Sequence, residues 1–277
     1  MGNSIQALGL CRFSLPSIGA FQSQDGSIED IRARLYQPER LNQRLAWFEH
    51  VTLPALRHQT DPDFTLVLLI GADLPEPWRG ALCALTEDVP QIRIETAEPG
   101  PHRALCADAM RPHLRPEAEF VAQFRLDDDD AISTDFIARM RRDLQPVLGL
   151  LELRDQFAVD YGRGFVLRWT EEGLIAEPRY ARQWTPGLVH VSRPALGRFI
   201  LDIDHSKMWR HMTLLSWTDE YMWIRGAHGG NDSDVPGAGG ERITLAPERI
   251  DRQLTSRFKI DQAAFARRLL DIAPETA

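Results

Sequence analysis

Four consecutive aspartates, Asp127 to Asp130, stand directly behind the apolar run Phe120-Val-Ala-Gln-Phe-Arg-Leu, and no other feature of this 277-residue chain restricts its fold as much. An apolar run of that length reads as a strand buried on both faces. Four adjoining carboxylates repel one another, so they need a cation or several hydrogen-bond donors close by. Both requirements are met where a buried strand ends at the carboxyl edge of an α/β sheet. Open sheets of that class bind their ligands at this edge.

The rest of the first half agrees with such a sheet. Ala7 to Phe13 and Phe64 to Ile70 read as strands, Gln91 to Glu95 as a shorter one, and Phe120 to Leu126 as the strand before the aspartates. Helical patterns alternate with them. Pro38 opens a helix in which Leu41, Leu45, Phe48, Thr52 and Leu56 recur at helical spacing, with Pro54 expected to kink or end it. Further helices are expected over Pro77 to Thr86, over Arg103 to Arg111, and after a Ser133 or Thr134 cap, with Ile137, Met140 and Leu144 on one face. Beyond about residue 155 short strand-like segments take over: Phe157 to Tyr161, Gly164 to Trp169 and Gly187 to Val191. Trp169, Trp184, Trp209, Trp217 and Trp223 fall in this half. Core packing is their first reading, and a sugar-stacking wall built from one or two of them is the second.

Composition narrows the class of function. A chain that is 43% hydrophobic and 26% charged can bury a large core. A formal net charge of -8 disfavours a generic nucleic-acid binder. Cys11, Cys83 and Cys106 are too few and too irregular for a disulfide framework or a zinc knuckle, and read as reduced thiols. No signal-like opening and no long apolar run is present, so a cytoplasmic protein is expected, with peripheral contact at the inner membrane compatible. G-x-S-x-G, P-loop and G-x-G-x-x-G turns are absent too.

The acidic run offers oxygen ligands only, which select a hard ion, Mn2+ or Mg2+. Alternate residues such as Asp127 and Asp129 can face one ion together and place it against a diphosphate. A solvated acidic loop is the competing reading. An EF-hand is excluded, because Ile132 and Ala138 stand where that loop needs glycine and a bidentate acid.

The segment from Phe120 through the aspartates to Ser133 resembles the donor-binding strand and D-x-D motif of GT-A-fold glycosyltransferases. More closely, the chain resembles the bacterial family described as putative rhamnosyl transferases. The match is carried by Arg12-Phe13-Ser14, Pro54-Ala-Leu-Arg-His-Gln-Thr and His228-Gly-Gly-Asn-Asp-Ser. The resemblance implies a single GT-A-like domain over 1–277: a mostly parallel, Rossmann-related central sheet flanked by helices, with a C-terminal acceptor-side elaboration. About 1–150 would be the nucleotide-sugar-binding half and about 151–277 the acceptor-side half. It further implies transfer of a sugar, rhamnose by the family's label, from a nucleoside-diphosphate donor to a glycan or lipid-linked acceptor.

Carried onto this sequence, the resemblance makes Asp127 a ribose or metal contact and Asp129 and Asp130 metal-facing carboxylates. The register within the run stays open by one residue. Arg12 and Arg103 become candidates for the nucleotide or diphosphate. His228, in the glycine-rich stretch Gly226 to Gly240, becomes a candidate metal or diphosphate ligand, and Asn231 a diphosphate or acceptor contact. Arg125 reads more simply as an ion-pair partner of the acidic run. For a general base, Asp219 and Glu220 are the first candidates, because they lie between Trp217 and the apolar Tyr221 to Ile224 segment, with Asp204 a further contender. Two other functions stay open: a nucleotidyltransferase, which also joins an acid pair to an α/β sheet, and a non-catalytic sugar- or nucleotide-binding protein.

Overall fold

Apolar side chains in strands β1 (Ile5–Phe13) and β3 (Phe64–Gly71) alternate between two cores, as a strand period of two requires. Ala7, Cys11, Phe13, Leu66, Leu68 and Ile70 face one side of the sheet, while Leu8, Leu10, Val67 and Leu69 face the other. A computed structural model describes residues 4–19, 26–228 and 240–272. In chain order its elements are β1, β2 (Ser17–Ile18), α1 (Ile28–Leu35), α2 (Pro38–Trp47), α3 (Leu53–Arg57), β3, α4 (Glu76–Thr86), β4 (Ile92–Ala97), β5 (Gly100–Pro101) and α5 (His102–Met110). There follow β6 (Phe120–Asp127), β7 (Ala131–Ile132), α6 (Phe136–Leu144), β8 (Gln156–Tyr161), β9 (Arg163–Thr170), β10 (Gly173–Tyr180), β11 (Leu188–Ser192), β12 (Thr213–Trp217), β13 (Trp223–Ala227), β14 (Glu241–Arg242), α7 (Pro247–Arg252) and α8 (Gln262–Ile272).

The seven-stranded main sheet has the order β12-β8-β11-β6-β1-β3-β4. Every neighbouring pair is parallel except the two that β11 makes with β6 and β8. The expected α/β class with a mostly parallel sheet and flanking helices is therefore what the chain adopts. Strands from both halves of the sequence build this one sheet. A five-stranded sheet, β14-β10-β9-β13-β7, is the C-terminal addition. It returns to the acidic run through β13, which pairs antiparallel with β7 immediately after the aspartates.

Pro54 does not end the helix it follows. A π-helical turn over Phe48–Thr52 links α2 to α3 and places Pro54 in the first turn of α3, where its missing N–H costs least. The cap of α6 is Asp135 rather than Ser133 or Thr134. Ser133 instead donates its hydroxyl to Asp135 Oδ1 at 2.7 Å. A third core joins the second sheet to α2 and α8 through Trp47, Phe165, Tyr221, Phe258 and Phe265, with Ile250 of α7 packed against it. Among the described residues, no helix is long and apolar enough to cross a membrane.

Candidate active site

The strand β6 delivers the aspartates to the sheet edge beside the end of β1, in a register that pairs Arg12 with Asp127. The chain then turns, the Asp130 N–H donating to the Asp127 carbonyl at 3.0 Å. This tight turn sorts the four carboxylates into two pairs. Asp127 and Asp130 line a cleft of about 520 Å³, whereas Asp128 and Asp129 are turned to the opposite side.

The back pair is neutralised by residues remote in sequence. Arg44 of α2 makes an ion pair with Asp128 and donates to Asp129 Oδ2 at 3.1 Å. His228, at the end of β13, lies 3.1 Å from the same Asp129 oxygen and 3.3 Å from Arg44, and its ring packs on Trp47 with centroids 4.9 Å apart. Thr52 of the π turn donates to the Asp128 carbonyl at 3.0 Å. Burial works against ionised Asp129, but Arg44 and His228 outweigh it and hold this carboxyl below its usual range. Gly226 of β13 forms the floor: a Cβ there would sit 2.5 Å from the Asp129 carbonyl oxygen, so only glycine lets the strand pass.

The front pair faces arginine. Arg12 pairs with Asp127 and lies 3.0 Å from His102 Nε2, whose Nδ1 is 3.1 Å from the Ser17 hydroxyl. Burial opposes the charge on Asp127, yet Arg12 and Arg125 keep its carboxyl well below the ordinary range. Asp130 moves the other way: burial, then the charges of Asp129 and Asp127, push its carboxyl up. Its Oδ1 accepts from the Gly226 N–H at 3.4 Å. Arg125 donates to the Thr185 hydroxyl at 2.8 Å and meets His205 Nδ1 at 3.3 Å. Burial, with Arg12 alongside, lowers Arg125 to about 10, and burial with Arg125 lowers His205 to about 4. His102 falls to about 3 for the same two reasons, burial and Arg12. Both imidazoles are thus neutral and keep the cationic charge on the arginines.

Arg103, Arg182 and Arg225 complete the basic lining, with Arg225 4.9 Å over the Trp184 ring. Such a surface suits an anion, and a doubly charged phosphate group above all. Among the described residues no group of three or more His, Cys, Asp or Glu side chains is arranged to hold a metal by itself. Two cleft-facing carboxylates are nevertheless enough for Mg2+ or Mn2+ when substrate phosphates and water complete the shell.

The structure brings Arg12, Arg103, Asp127 and Asp130 to the cleft. Asp129 and His228 it brings together behind the turn, where each is the other's partner. Asp219 and Glu220 fall in the turn between β12 and β13 and point elsewhere: Asp219 pairs with Arg139 of α6, and Glu220 lies 3.4 Å from Arg257. Neither lines the cleft, whereas Asp204 does. Asn231 and most of the Gly226 to Gly240 stretch lie outside the described residues. Sequence reasoning missed Arg44, Arg182, Arg225 and His205. Arg44 carried a signal, because position 44 lies on the same helix face as Leu41, Leu45 and Phe48, and a charge there must find a buried partner.

A family model described as "Putative rhamnosyl transferase" matches residues 6–239. No curated protein matches the chain in sequence. Among solved structures, residues 1–349 of TarS from S. aureus in complex with UDP-GlcNAc align at 11% identity and a TM-score of 0.42, covering 96% of this chain and 71% of that one. Mannosyltransferase PcManGT from Pyrobaculum calidifontis, in complex with GDP-Man and Mn2+, aligns at 12% identity and a TM-score of 0.41, covering 79% of this chain and 56% of that one.

Proposed function

The chain belongs to the family described as putative rhamnosyl transferases, and from that premise we propose that its cleft binds a nucleoside-diphosphate sugar and transfers the sugar to a hydroxyl of a glycan or lipid-linked acceptor. The observation that carries this reading is the lining itself: Arg12, Arg103, Arg125, Arg182 and Arg225 surround Asp127 and Asp130 at the carboxyl edge of the sheet. In transfer from such a donor, negative charge grows on the leaving diphosphate. Fixed guanidinium groups in a partly desolvated cleft stabilise that charge without reorganising. Arg12 is held for this by Asp127 and His102, and Arg125 by Thr185 and His205.

The oxygen-only donor set of Asp127 and Asp130 fits a hard cation, which would offset the burial and like charge that push the Asp130 carboxyl up. When bound, Mn2+ or Mg2+ would add Lewis-acid neutralisation of the diphosphate. Trp184, braced by Arg225 on one face and by Trp223 at 5.2 Å, supplies a flat wall for a sugar or a base. For an inverting reaction the acceptor hydroxyl must lose a proton to a nearby carboxylate. Asp204 is the other carboxylate that lines the cleft; its Oδ1 accepts from the Ser206 N–H at 3.0 Å and hydroxyl at 2.8 Å, and Lys207 lies 3.2 Å from its Oδ2. This reading assigns the proton to Asp204 in place of Asp219 and Glu220. Rhamnose, given by the family label, is the first sugar to try.

Thermal denaturation with uridine, guanosine and deoxythymidine diphosphates, with and without Mn2+, tests the proposal. One nucleotide plus Mn2+ should raise the melting temperature more than either component alone. No shift with any nucleotide would remove the donor assignment. Release of nucleotide from the matching nucleotide sugar then separates an enzyme from a binding protein.

A further inference from the structure

A second cavity, of about 400 Å³, has Arg154, Asp155, Gln156, Trp209 and Arg210 in its lining. From it we infer a glycan-binding subsite, in which one face of a pyranose ring stacks on Trp209 and its hydroxyls bond to the surrounding polar side chains. The inference rests on the glycosyl-transfer reading for its purpose, but its geometry stands apart from the donor cleft.

Trp209 is 56% exposed and is the largest exposed apolar side chain among the described residues. Its exposure is not slackness. The indole Nε1 donates to the Ser206 carbonyl at 3.1 Å, and the Trp209 backbone N–H donates to Gln183 Oε1 at 3.4 Å. Gln183 itself has a left-handed backbone, with φ of 57°, a conformation that costs energy in a residue other than glycine. The Arg210 guanidinium lies 5.1 Å from the Trp209 ring centroid and so accounts for one face of the ring. A pinned aromatic plate beside a concavity lined by Arg154, Asp155 and Gln156 is what an amphipathic ring with an apolar face and a polar rim would recognise.

The position of the subsite relates it to transfer. Asp204, His205 and Ser206 line the donor cleft, and the 3-10 helix His205–Arg210 carries the chain from there to Trp209. Ser206 and Trp209 are one such turn apart, about 6 Å along its axis. Gln183 ties the two regions again, because it lines the donor cleft while accepting from Trp209. A chain of linked sugar rings could therefore lie with its terminal hydroxyl in the cleft and an inner ring on Trp209. The subsite would then select acceptors by length.

Saturation-transfer NMR with neutral hexose and deoxyhexose oligosaccharides of increasing length, without donor, tests binding directly. Contacts should appear for the longer chains with the native protein and vanish in Trp209→Ala. With donor and acceptor both present, Trp209→Ala should raise KM for a long acceptor roughly tenfold. The KM for a monosaccharide acceptor, and nucleotide release without acceptor, should not change. Trp209→Phe should restore most of the difference. Oligosaccharide contacts that survive in Trp209→Ala, or no contacts at all, would overturn the subsite while leaving donor binding and release intact. Loss of nucleotide release in the native protein would instead fault the glycosyl-transfer reading alone.

Discussion

The two sides of one turn treat chemically identical residues in opposite ways. Asp129 and Asp130 are equally buried, so partners rather than exposure divide them: behind the turn, Asp128 and Asp129 sit against Arg44 and His228, and their charge is spent on structure. In front, Asp127 and Asp130 face a cleft whose cations are shared with whatever enters it. Charge that is closed off by internal partners stabilises a fold. Charge left facing a cavity is available for chemistry, and the turn separates the two uses by one residue at either end.

The back pair gives the largest expected effect. Arg44→Met should cost about 3–5 kcal/mol of stability, because it leaves buried carboxylates without their cation. Urea denaturation measures it. Adding Asp128→Asn and Asp129→Asn to Arg44→Met should recover a large part of the loss, the signature of one coupled network. Additive losses would mean that the back pair is solvated after all.

Asp160 shows what burial does to an acid with no cation in contact. It is 1% exposed, its Oδ1 has no partner, and burial raises its pKa from 3.8 to about 6. A raised acid pKa favours the neutral form in the folded state. The stability it contributes is complete below 3.8 and is lost as pH rises through about 6. The span corresponds to at most ~3 kcal/mol. Asp160→Asn should flatten this part of the pH–stability profile. An unchanged profile would mean that Asp160 ionises without penalty and that burial alone does not divide the acids.

The front pair should affect rate more than stability. Asp130→Asn keeps the shape of the side chain and should slow transfer by about 100-fold or more, with the melting temperature nearly unchanged. Equal losses from Asp129→Asn in a stable protein would erase the distinction between the pairs. The smallest effect is expected at Asp219, 62% exposed at its side chain, because its buried partner Arg139 keeps Asp143 at 3.3 Å when Asp219 is lost. Asp219→Asn should change stability by less than about 1 kcal/mol and leave the transfer rate close to native. A large fall in rate at normal donor affinity would bring this turn back as the source of the base.

Much of this was legible in the sequence because it depends on local period. The strands at Phe64 and Phe120, and the helix carrying Leu41 and Leu45, were readable from the spacing of their apolar residues. The register of the acidic turn was not, since four identical residues contain no phase. Arg44 and Gly226 set it, 84 residues before Asp128 and 96 after Asp130 respectively. The assignment of Asp219 and Glu220 failed to reach the cleft for the same reason. Aromatic neighbours in sequence suggested a desolvated pair, while Arg139 and Arg257, far away along the chain, hold both at the surface. Pro54 marked a real irregularity, but the π turn that absorbs it has no local signature.

The placement of β6 has a consequence for how the protein comes into being. One of its edges pairs with β1, made well before β6, and the other with β11, made some sixty residues after β6 itself. The floor under the aspartates arrives later still, with β13. During translation the acidic turn therefore waits on an open strand edge, its four charges without their complete surroundings. Polypeptides released early, before about residue 227, would have the most exposed edge and the least compensated charge together, a combination that favours aggregation and proteolytic clearance. The same residues that complete the cleft thus also close the edge on which a partly made chain is most vulnerable.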